Sequence, residues 1–316
     1  MPEQVTLQNL SLKDARVTIG SFDGVHRGHQ VIIRDLVQSA RKANAPAVVI
    51  TFFPHPAVVL GKKTHHFYLT HPDEREMMLK ELGVDEVITL PFTRELAELS
   101  PEDFLAPLKK HLGMKELWVG YDFAMGKNRS GNTGRLLELA KPFGYELKIL
   151  EPIQAGQIVI SSSLIRESLA NGDIKSAREM LGRNYSLSGR VVEGDGRGKQ
   201  IGFPTANMSV WEEKLIPRNG IYAGWVWVEG RRYGSAVNIG LRPTFGDDVL
   251  HPRVEPYILD FDKDIYDTDI LLEFVQFLRP EVRFEKLDDL INQIHMDVDA
   301  AREELKNAVK TPDLPA

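Results

Sequence analysis

The first half of the chain alternates between short continuous apolar runs and stretches whose apolar residues recur at helical spacing. A continuous β-branched run is typical of a parallel strand covered on both faces, whereas apolar residues three and four apart share one face of a helix. Predicted helices include HQVIIRDLVQSARKA (29–43) and DEREMMLKELG (73–83). The runs predicted as strands are RVTIG (16–20), PAVVITF (46–52), VDEVITL (84–90), ELWVG (116–120) and YELKILE (145–151). This alternation predicts a doubly wound α/β sheet, with its ligand crevice beyond the carboxyl ends of the strands.

One predicted helix carries a clear start signal and an expected break. The segment SPEDFLAPLKKHLG (100–113) places Ser100 as the N-cap and Pro101 at the first helical position. Pro107 lacks the backbone N–H that an internal helical position donates. We therefore expect Pro107 to kink or interrupt this helix.

The pattern changes near Gly182, after two short helical segments at residues 163–171 and 174–181. Strands and helices alternate before this point, and short strand-like runs predominate after it. A chain of 316 residues is long for one domain and sufficient for two that each bury a core. We therefore expect one domain at residues 1–183 and a second at residues 184–316.

The second half predicts a compact β-barrel, because glycine turns separate its short strand-like runs. The run VWVEGRRYGSA contains a hairpin-like turn at Glu229 and Gly230. An amphipathic stretch at residues 287–309 predicts a long final helix. We expect its apolar stripe to pack on the barrel and its charged face to be solvated.

Composition and charge exclude several classes of chemistry. The net charge of −6 and the scattered Lys and Arg residues argue against a surface that coats nucleic acid. The chain has no cysteine, which excludes disulfides and thiolate chemistry and leaves oxygen or imidazole to hold any metal. Residues 1–15 lack signal-peptide features, and no apolar run is long enough to span a bilayer. We expect a cytoplasmic protein that binds neither membrane nor nucleic acid.

The sequence IGSFDGVHRGHQVII (19–33) places His26 and His29 in a glycine-rich turn between a predicted strand and a predicted helix. Three interpretations are open. The histidines could form a metal pair with Asp23, although the turn supplies no further ligand and lacks the HExxH spacing. They could be satisfied polar residues in an ordinary turn. They could also bind phosphate, because backbone N–H groups at a helix N-terminus attract anions and imidazole donors stabilise developing charge.

The stretch GSFDGVHRGHQ resembles the HxGH signature of the nucleotidyltransferase superfamily. FDGVHRGHQ together with TFFPHP (51–56) more narrowly resembles the bacterial bifunctional riboflavin kinase/FAD synthetase family. The resemblance implies that His26 and His29 are catalytic. It also makes Phe53 and Pro54 candidates for flavin binding, although Phe53 stands where the family often has an acidic residue. The residues of the turn that it implies in ATP binding are Gly20, Phe22, Asp23, Gly24, His26, Gly28 and His29.

A second candidate phosphate element is ISSSLIRESLANGD (160–173). Ser162 or Ser163 could simply cap the following helix, with Arg166 solvated in its first turn. Alternatively, the hydroxyls and the guanidinium grip the β- and γ-phosphates of ATP as pyrophosphate departs. The family carries a similar segment in this place, so the resemblance implies the second role and makes Arg166 catalytic.

The loop WVGYDFAMGKNRSGNTG (118–134) also resembles the family. The resemblance places Asp122 near the nucleotide, and Met125 stands where an aromatic residue is common. On composition alone, the loop is equally typical of a mobile surface segment.

In the second half, GDGRGKQIGFPTAN (194–207) is rich in glycine. It is not a Walker A loop, because a glutamine follows Lys199 where Ser or Thr should stand. One interpretation is a flexible hairpin turn around residues 195–196. The other is a phosphate site, since the glycines leave backbone amides available. Thr205 and Asn207 would then offer hard oxygen ligands that suit Mg²⁺ together with nucleotide phosphates.

The segment GFPTAN resembles the flavokinase signature, and VNIGLRPTFG (237–246) and VEPYILDFDKDIY (254–266) match the same domain in order. The resemblance thus extends over residues 16–303. It implies that Glu255 is the catalytic base that accepts the proton of the riboflavin 5′-hydroxyl. On sequence alone, a strand glutamate is more typically solvated or salt-bridged. The ATP-binding residues that the resemblance implies here are Gly194, Gly196, Gly198, Lys199, Gly202, Thr205 and Asn207.

Taken together, the resemblance implies a bifunctional enzyme that phosphorylates riboflavin to FMN and then transfers AMP from ATP to FMN, giving FAD and pyrophosphate. Its expected partners are the small molecules riboflavin, FMN and ATP, with Mg²⁺ as cofactor, and its oligomeric state stays open. One rival is a nucleotidyltransferase for another phosphate acceptor with a non-catalytic β domain, which the flavokinase motifs oppose. The other is a flavin- or nucleotide-binding regulator that has lost catalysis. It is opposed by the joint presence of His26, His29, Arg166, Thr205, Asn207 and Glu255.

Overall fold

The structure is a computed structural model that describes residues 7–61, 66–155, 158–194, 196–243 and 250–310. The chain forms two compact units, Met1–Ser162 and Ser163–Ala316. The domain boundary near residue 183 stays a prediction. No described helix is both long and apolar enough to cross a membrane.

The helices are α1 (Arg27–Lys42), α2 (Pro56–Val59), α3 (Pro72–Glu81), α4 (Arg94–Ala97), α5 (Pro101–Leu112), α6 (Thr133–Phe143), α7 (Ser162–Asn171), α8 (Ile174–Leu181), α9 (Arg197–Gln200) and α10 (Leu287–Lys310). The strands are β1 (Arg16–Ile19), β2 (Ala47–Phe52), β3 (Glu86–Leu90), β4 (Glu116–Gly120), β5 (Ala124–Met125), β6 (Gly131–Asn132), β7 (Glu146–Leu150), β8 (Gln154–Ala155), β9 (Ile158–Val159), β10 (Tyr185–Val192), β11 (Asn207–Val210), β12 (Gly220–Val228), β13 (Arg231–Pro243), β14 (Leu250–Ile258) and β15 (Asp269–Arg279). Two short 3-10 turns lie at Leu7–Asn9 and Lys127–Arg129.

The first unit is built on a parallel sheet with the strand order β3-β2-β1-β4-β7. Every residue of β2 is buried, as expected for an interior strand covered on both faces. One apolar cluster joins the sheet to α5 and α6, and another joins it to α1 and α3. The predicted doubly wound sheet is therefore confirmed. The strand order reverses between β1 and β4, where the carboxyl ends open a crevice.

The predicted interruption at Pro107 is wrong, because α5 runs continuously through this residue. A kink at Pro107 stays a prediction. Both ends of the helix are fixed: the Ser100 hydroxyl accepts the backbone N–H of Asp103 at 3.0 Å, and Gly113 closes the helix in the left-handed conformation. Packing of one helix face against the sheet outweighs the single hydrogen bond that Pro107 cannot donate. The buried residues of that face are Phe104, Leu105, Leu108 and Leu112.

The second unit is the predicted β-barrel. Its six strands close in the order β10-β11-β14-β13-β12-β15, and β15 pairs back with β10. Closure removes the exposed strand edges that an open sheet would leave. The predicted hairpin turn between β12 and β13 is confirmed, since Glu229 and Gly230 have φ angles of 49° and 76°, as a two-residue type I′ turn requires.

The final helix, α10, packs across β12, β13 and β15. Its apolar stripe faces the barrel and its charged residues are largely solvated, so the prediction from its amphipathic pattern is confirmed. The buried residues of this contact are Ala301 and Leu305 of α10 with Ala223, Ala236 and Leu259.

Candidate active sites

The first unit has a cleft of about 330 Å³ at the carboxyl ends of β1 and β4. This is the place where a doubly wound sheet binds its ligands. Leu150 at the end of β7 and the three residues after it contribute another wall. The predicted nucleotide-binding residues that line the cleft are Gly20, Phe22, His26, Gly28, His29, Asp122 and Ser162.

His26 caps the helix that carries His29. Helix α1 begins at Arg27, slightly before the start that the apolar spacing predicts, and His26 is its N-cap. The Nδ1 atom of His26 accepts the backbone N–H of His29 at 3.2 Å, so a neutral His26 carries its proton on Nε2. The two imidazoles stack with centroids 3.5 Å apart and planes 17° apart. The cap thus holds both rings at the positive end of the helix, where anions bind.

The imidazole of His29 is held in its neutral form. Burial, the neighbouring His26 and the guanidinium of Arg75 lower the pKa of His29 well below its ordinary value of 6.5. Its Nδ1 atom is buried and has no hydrogen-bond partner among the described residues. The ring of Phe22 packs against it edge to face, with centroids 5.1 Å apart. Because His29 also lines the cleft, its neutral imidazole is placed to contact a ligand there.

The turn that leads into α1 is strained. Phe22 and Val25 have φ angles of 48° and 38°, in the left-handed region that side chains rarely adopt. A Cβ on Gly28 would lie 3.1 Å from the ring of His26, so the imidazole stack leaves little room for a larger residue. Strain concentrated in a few residues is typical of backbone that holds a functional geometry.

The barrel contains two adjoining cavities of about 270 and 280 Å³. The smaller is polar, and the glycine loop contributes Gly196 and Gly198 to it. The larger is mainly apolar and is closed by α10. Its apolar lining includes Phe203, Tyr257, Val282, Phe284, Leu290 and Ile294. The residues that line both cavities are Gly198, Thr205, Asn238, Glu255 and Glu281.

Glu255 lies where the two cavities meet. It is on β14 opposite Asn238 of β13, and both residues line both cavities. Thr205 also lines both cavities, while Asn207 lines the polar cavity. The barrel therefore places a potential proton acceptor between an apolar cavity and a polar, glycine-lined one.

The glycine loop approaches Asn207 closely. The side-chain amide of Asn207 lies directly against Gly194, where any Cβ would overlap it. Among the described residues, Gly194 and Gly202 are outside the lining of the polar cavity. The side chain of Lys199 lies outside the described part of the chain.

Both halves of the chain match known protein families. A family model for FAD synthetase matches residues 8–164, and one for riboflavin kinase matches residues 181–305. The bifunctional riboflavin kinase/FMN adenylyltransferase of Listeria monocytogenes is 37% identical, with 89% of each chain covered. That of Escherichia coli is 36% identical, with 91% of each covered. The chain belongs to the bifunctional riboflavin kinase/FMN adenylyltransferase family.

A solved structure is also similar over almost the whole chain. A Streptococcus pneumoniae protein described as a macrolide-efflux protein has 30% sequence identity and a TM-score of 0.85. The match covers 96% of this chain and 98% of that chain. The similarity supports the assignment of a parallel α/β unit followed by a barrel.

In the FAD synthetase half, the carboxylate of Asp23 is directed into the protein. It accepts the backbone N–H groups of Leu69 and Thr70 and the Thr70 hydroxyl at 3.0 to 3.1 Å, and Asp23 is only 1% exposed. Thr70 in turn accepts the backbone N–H of Gly24 at 3.1 Å. These contacts indicate that Asp23 shapes the turn, with Gly24 fixed through its backbone.

The serine and arginine element lies at the start of α7. The Ser162 hydroxyl donates to the backbone carbonyl of Asp23 at 2.8 Å, which brings this serine to the turn. Ser163 and Arg166 follow on α7. Their proposed contacts with phosphate stay predictions from the family resemblance.

Four further predicted positions have different surroundings. Asp122 is exposed at the rim of the cleft, and Arg129 donates to its backbone carbonyl at 3.1 Å. Met125 packs against the apolar core of the sheet. Among the described residues, Phe53 and Pro54 are outside the lining of the cleft.

Two charged residues near these sites were not indicated by any motif. Arg75 is a buried arginine of α3. It lies four residues before the buried Leu79 and therefore shares its helix face, so the one signal in the sequence was a charged residue on an apolar face. Glu281 lines both barrel cavities; partial desolvation and the neighbouring Glu255 raise its pKa. Nothing in the sequence pairs Glu281 with Glu255, because the two lie on separate segments.

Proposed function

We propose that each unit of this chain carries one of the two activities of its family. The barrel phosphorylates riboflavin with ATP to give FMN, and the first unit transfers AMP from a second ATP to FMN, giving FAD and pyrophosphate. The observation that carries this assignment is the presence of one candidate site in each unit: the histidine cleft in the first and the cavities that meet at Glu255 in the second.

Adenylyl transfer needs little acid–base chemistry from the protein. The FMN phosphate is already a nucleophile, so one of its oxygens bonds to the α-phosphorus of ATP as the bond to the departing pyrophosphate breaks. Catalysis then depends on positioning and on stabilisation of charge. The Nε2–H of His26, the imidazole of His29 and the N-terminus of α1 supply donors for that charge. In this proposal Ser162, which lines the cleft, holds the leaving pyrophosphate. The roles of Ser163 and Arg166, which follow on α7, stay expectations of the family resemblance.

Riboflavin phosphorylation requires a proton acceptor for the attacking hydroxyl. The apolar cavity suits the flavin ring, and the polar cavity suits the ATP phosphates. Glu255 at their junction accepts the proton of the 5′-hydroxyl as the oxygen bonds to the γ-phosphorus and ADP leaves. The backbone amides at Gly196 and Gly198 provide donors for the phosphates.

Mg²⁺ fits the donor set of the polar cavity. The Thr205 hydroxyl and the Asn207 carbonyl are hard oxygen ligands in the same cavity as the glycine loop. Among the described residues no group of three or more His, Cys, Asp and Glu side chains could hold a metal by itself. Mg²⁺ typically takes one or two protein oxygens and completes its shell with water and phosphate. When bound, it would neutralise charge on the phosphates.

Two finer assignments belong to the same proposal. Phe53 and Pro54 contact the flavin of the adenylyl-transfer step; Phe53 already packs near the ring of Tyr68, with centroids 5.7 Å apart. We also place the protein in the cytoplasm, where its small-molecule substrates are available.

A flavin conversion assay tests the proposal. The purified chain is incubated with riboflavin, ATP and Mg²⁺, and the flavins are separated by chromatography over time. We expect FMN and then FAD. Conversion of supplied FMN to FAD without phosphorylation of riboflavin would identify the barrel as non-catalytic. Flavin binding without any product would identify a regulator, and either result contradicts the proposal.

A further inference from the structure

Arg75 is a buried cation beside the turn that carries the histidines. It is only 1% exposed. Its Nη1 atom donates to the backbone carbonyl of Ser21 at 3.0 Å, and its Nη2 atom donates to that of Phe52 at 3.2 Å. Its Nε atom has no hydrogen-bond partner among the described residues. Burying an arginine in this way is costly, so the position calls for a functional explanation.

The two carbonyls belong to the carboxyl ends of neighbouring parallel strands. Phe52 ends β2, and Ser21 follows β1 between two residues of the cleft lining, Gly20 and Phe22. The Thr51 hydroxyl donates to the same Ser21 carbonyl at 3.0 Å. A planar guanidinium has donors at fixed spacing and can bridge two carbonyls, whereas a lysine ammonium is a single point charge. Arg75 therefore fixes the two strand ends from which the turn departs.

The charge of Arg75 also acts on the cleft. Its bonded acceptors are neutral carbonyls, and the nearby carboxylate of Asp23, which is hydrogen-bonded to the 69–70 segment, offsets part of its charge. The groups that act electrostatically on Arg75 are Asp23 and Tyr68, and those that act on His29 are His26 and Arg75. Arg75 favours the neutral form of His29, and a buried charge acts strongly across a medium of low dielectric constant. Its positive field would favour bound phosphates.

We propose that Arg75 is a positioning residue for adenylyl transfer: it fixes the carboxyl ends of β1 and β2 around the histidine turn and supplies a buried positive charge next to the histidine pair. This inference rests on the assignment of the cleft to adenylyl transfer. No motif of the sequence pointed to this residue.

Two substitutions separate the two parts of this role. Arg75→Lys keeps the charge and removes the guanidinium fork; Arg75→Met removes the charge and keeps an unbranched apolar stem. We expect the kcat for FAD formation from FMN to fall about tenfold in the first and about a hundredfold in the second. Phosphorylation of riboflavin by the same chain should be unchanged. Arg41→Met is the matched control, because this exposed arginine of α1 pairs with Asp85 outside the cleft.

The second readout is the titration of His29, which NMR of histidine-labelled protein monitors. The His29 signal is assigned as the one that is missing in His29→Gln. In Arg75→Met the His29 titration should move upward, towards its ordinary pKa, whereas in Arg75→Lys it should match the wild type. A loss of packing alone would not produce this difference between the two variants.

The inference is overturned if wild-type protein forms FAD and Arg75→Met forms it within twofold of that rate. It is also overturned if both variants leave the His29 titration unchanged, or change it equally. Should Arg75→Met fail to fold, Arg75→Lys decides: a folded lysine variant with a wild-type kcat contradicts the role of the fork. If the wild type itself makes no FAD, the assignment of the cleft fails instead.

Discussion

The Nδ1 atom of His26 accepts the backbone N–H of His29 at 3.2 Å, and the two imidazoles stack with centroids 3.5 Å apart. One side chain thereby starts the helix and fixes the position of the other. His26 is buried, with 6% of its surface exposed. The capping role and the proposed chemical role of His26 therefore fall on one side chain, and substitution can separate them.

His26→Asn should keep the helix cap and lose the imidazole donor. Asn is among the best N-cap residues, whereas Ala is poor, so His26→Ala should cost about 1 kcal/mol of stability and His26→Asn much less. The rate of FAD formation should be lower than that of the wild type by roughly a hundredfold or more in both variants, because each lacks the Nε2–H donor. Thermal unfolding and FMN adenylylation measure the two effects. An active His26→Asn would show that capping is the whole role of His26.

His29→Ala should abolish FAD formation while FMN accumulates from riboflavin. The expected loss is roughly a hundredfold or more in the adenylyl-transfer rate, since His29 lines only the cleft of the first unit. Chromatography of the flavins over time measures both products. Loss of FMN together with FAD would contradict the assignment of independent sites.

The lowered pKa of His29 also predicts a pH dependence of stability. Below its ordinary pKa of 6.5, the unfolded state binds a proton at His29 that the folded state resists. The free energy of unfolding should therefore fall as the pH drops from about 6.5 towards the lowered value. His29→Gln should remove this part of the slope. Urea unfolding at several pH values measures it, and His111→Gln in the same unit is the control. An unchanged slope in His29→Gln would contradict the burial of a neutral imidazole.

The strands and most helices could be predicted because their signals are local. The apolar run over residues 116–120 coincides with β4, and Ser100 caps α5 as its position indicates. The interruption expected at Pro107 does not occur, because the proline signal is local and the continuity of α5 depends on packing. A buried helix face and two capped ends outweigh one missing hydrogen bond.

The candidate sites were only partly predictable, because the sequence shows local signals but not the contacts between residues that are distant along the chain. A glycine-rich turn before a helix indicates anion binding through local geometry, and His26 and His29 do line the cleft. The inward orientation of Asp23 depends on Leu69 and Thr70, which are distant in the sequence. Arg75 is likewise defined by contacts that only the folded chain creates.

Glu255→Gln should block riboflavin phosphorylation and leave the conversion of supplied FMN to FAD intact. Glutamine preserves the shape of the side chain and removes the proton acceptor, so the loss should appear in kcat. Glu303→Gln is a suitable control, because Glu303 is an exposed carboxylate on α10. Undiminished kinase activity in Glu255→Gln would remove Glu255 from its proposed role.

The ion pair between Arg279 and Asp297 should be a main support of the barrel cavity. Arg279 donates from Nε and Nη2 to the Asp297 carboxylate at 2.7 and 2.6 Å, and Gln293 donates to the same carboxylate at 3.0 Å. The pair joins β15 to α10, and both partners line the apolar cavity. Asp297→Ala leaves the guanidinium without its carboxylate, which should destabilise the barrel by about 3 kcal/mol. The KM for riboflavin should rise, while FMN adenylylation stays unchanged.

The pair between Arg302 and Asp260 provides a matched control, since it has similar bidentate geometry at 2.7 Å but an Asp260 side chain that is 75% exposed. Asp260→Ala should cost less than about 1 kcal/mol because water replaces the lost partner. Urea unfolding, monitored by tryptophan fluorescence, measures both variants, and the barrel contains Trp211, Trp225 and Trp227.

Combining Arg279→Met with Asp297→Leu should recover most of the stability, because no buried charge is then left alone. An equal decrease in the free energy of unfolding in Asp297→Ala and Asp260→Ala would show that burial does not increase the contribution of the Arg279–Asp297 pair to stability.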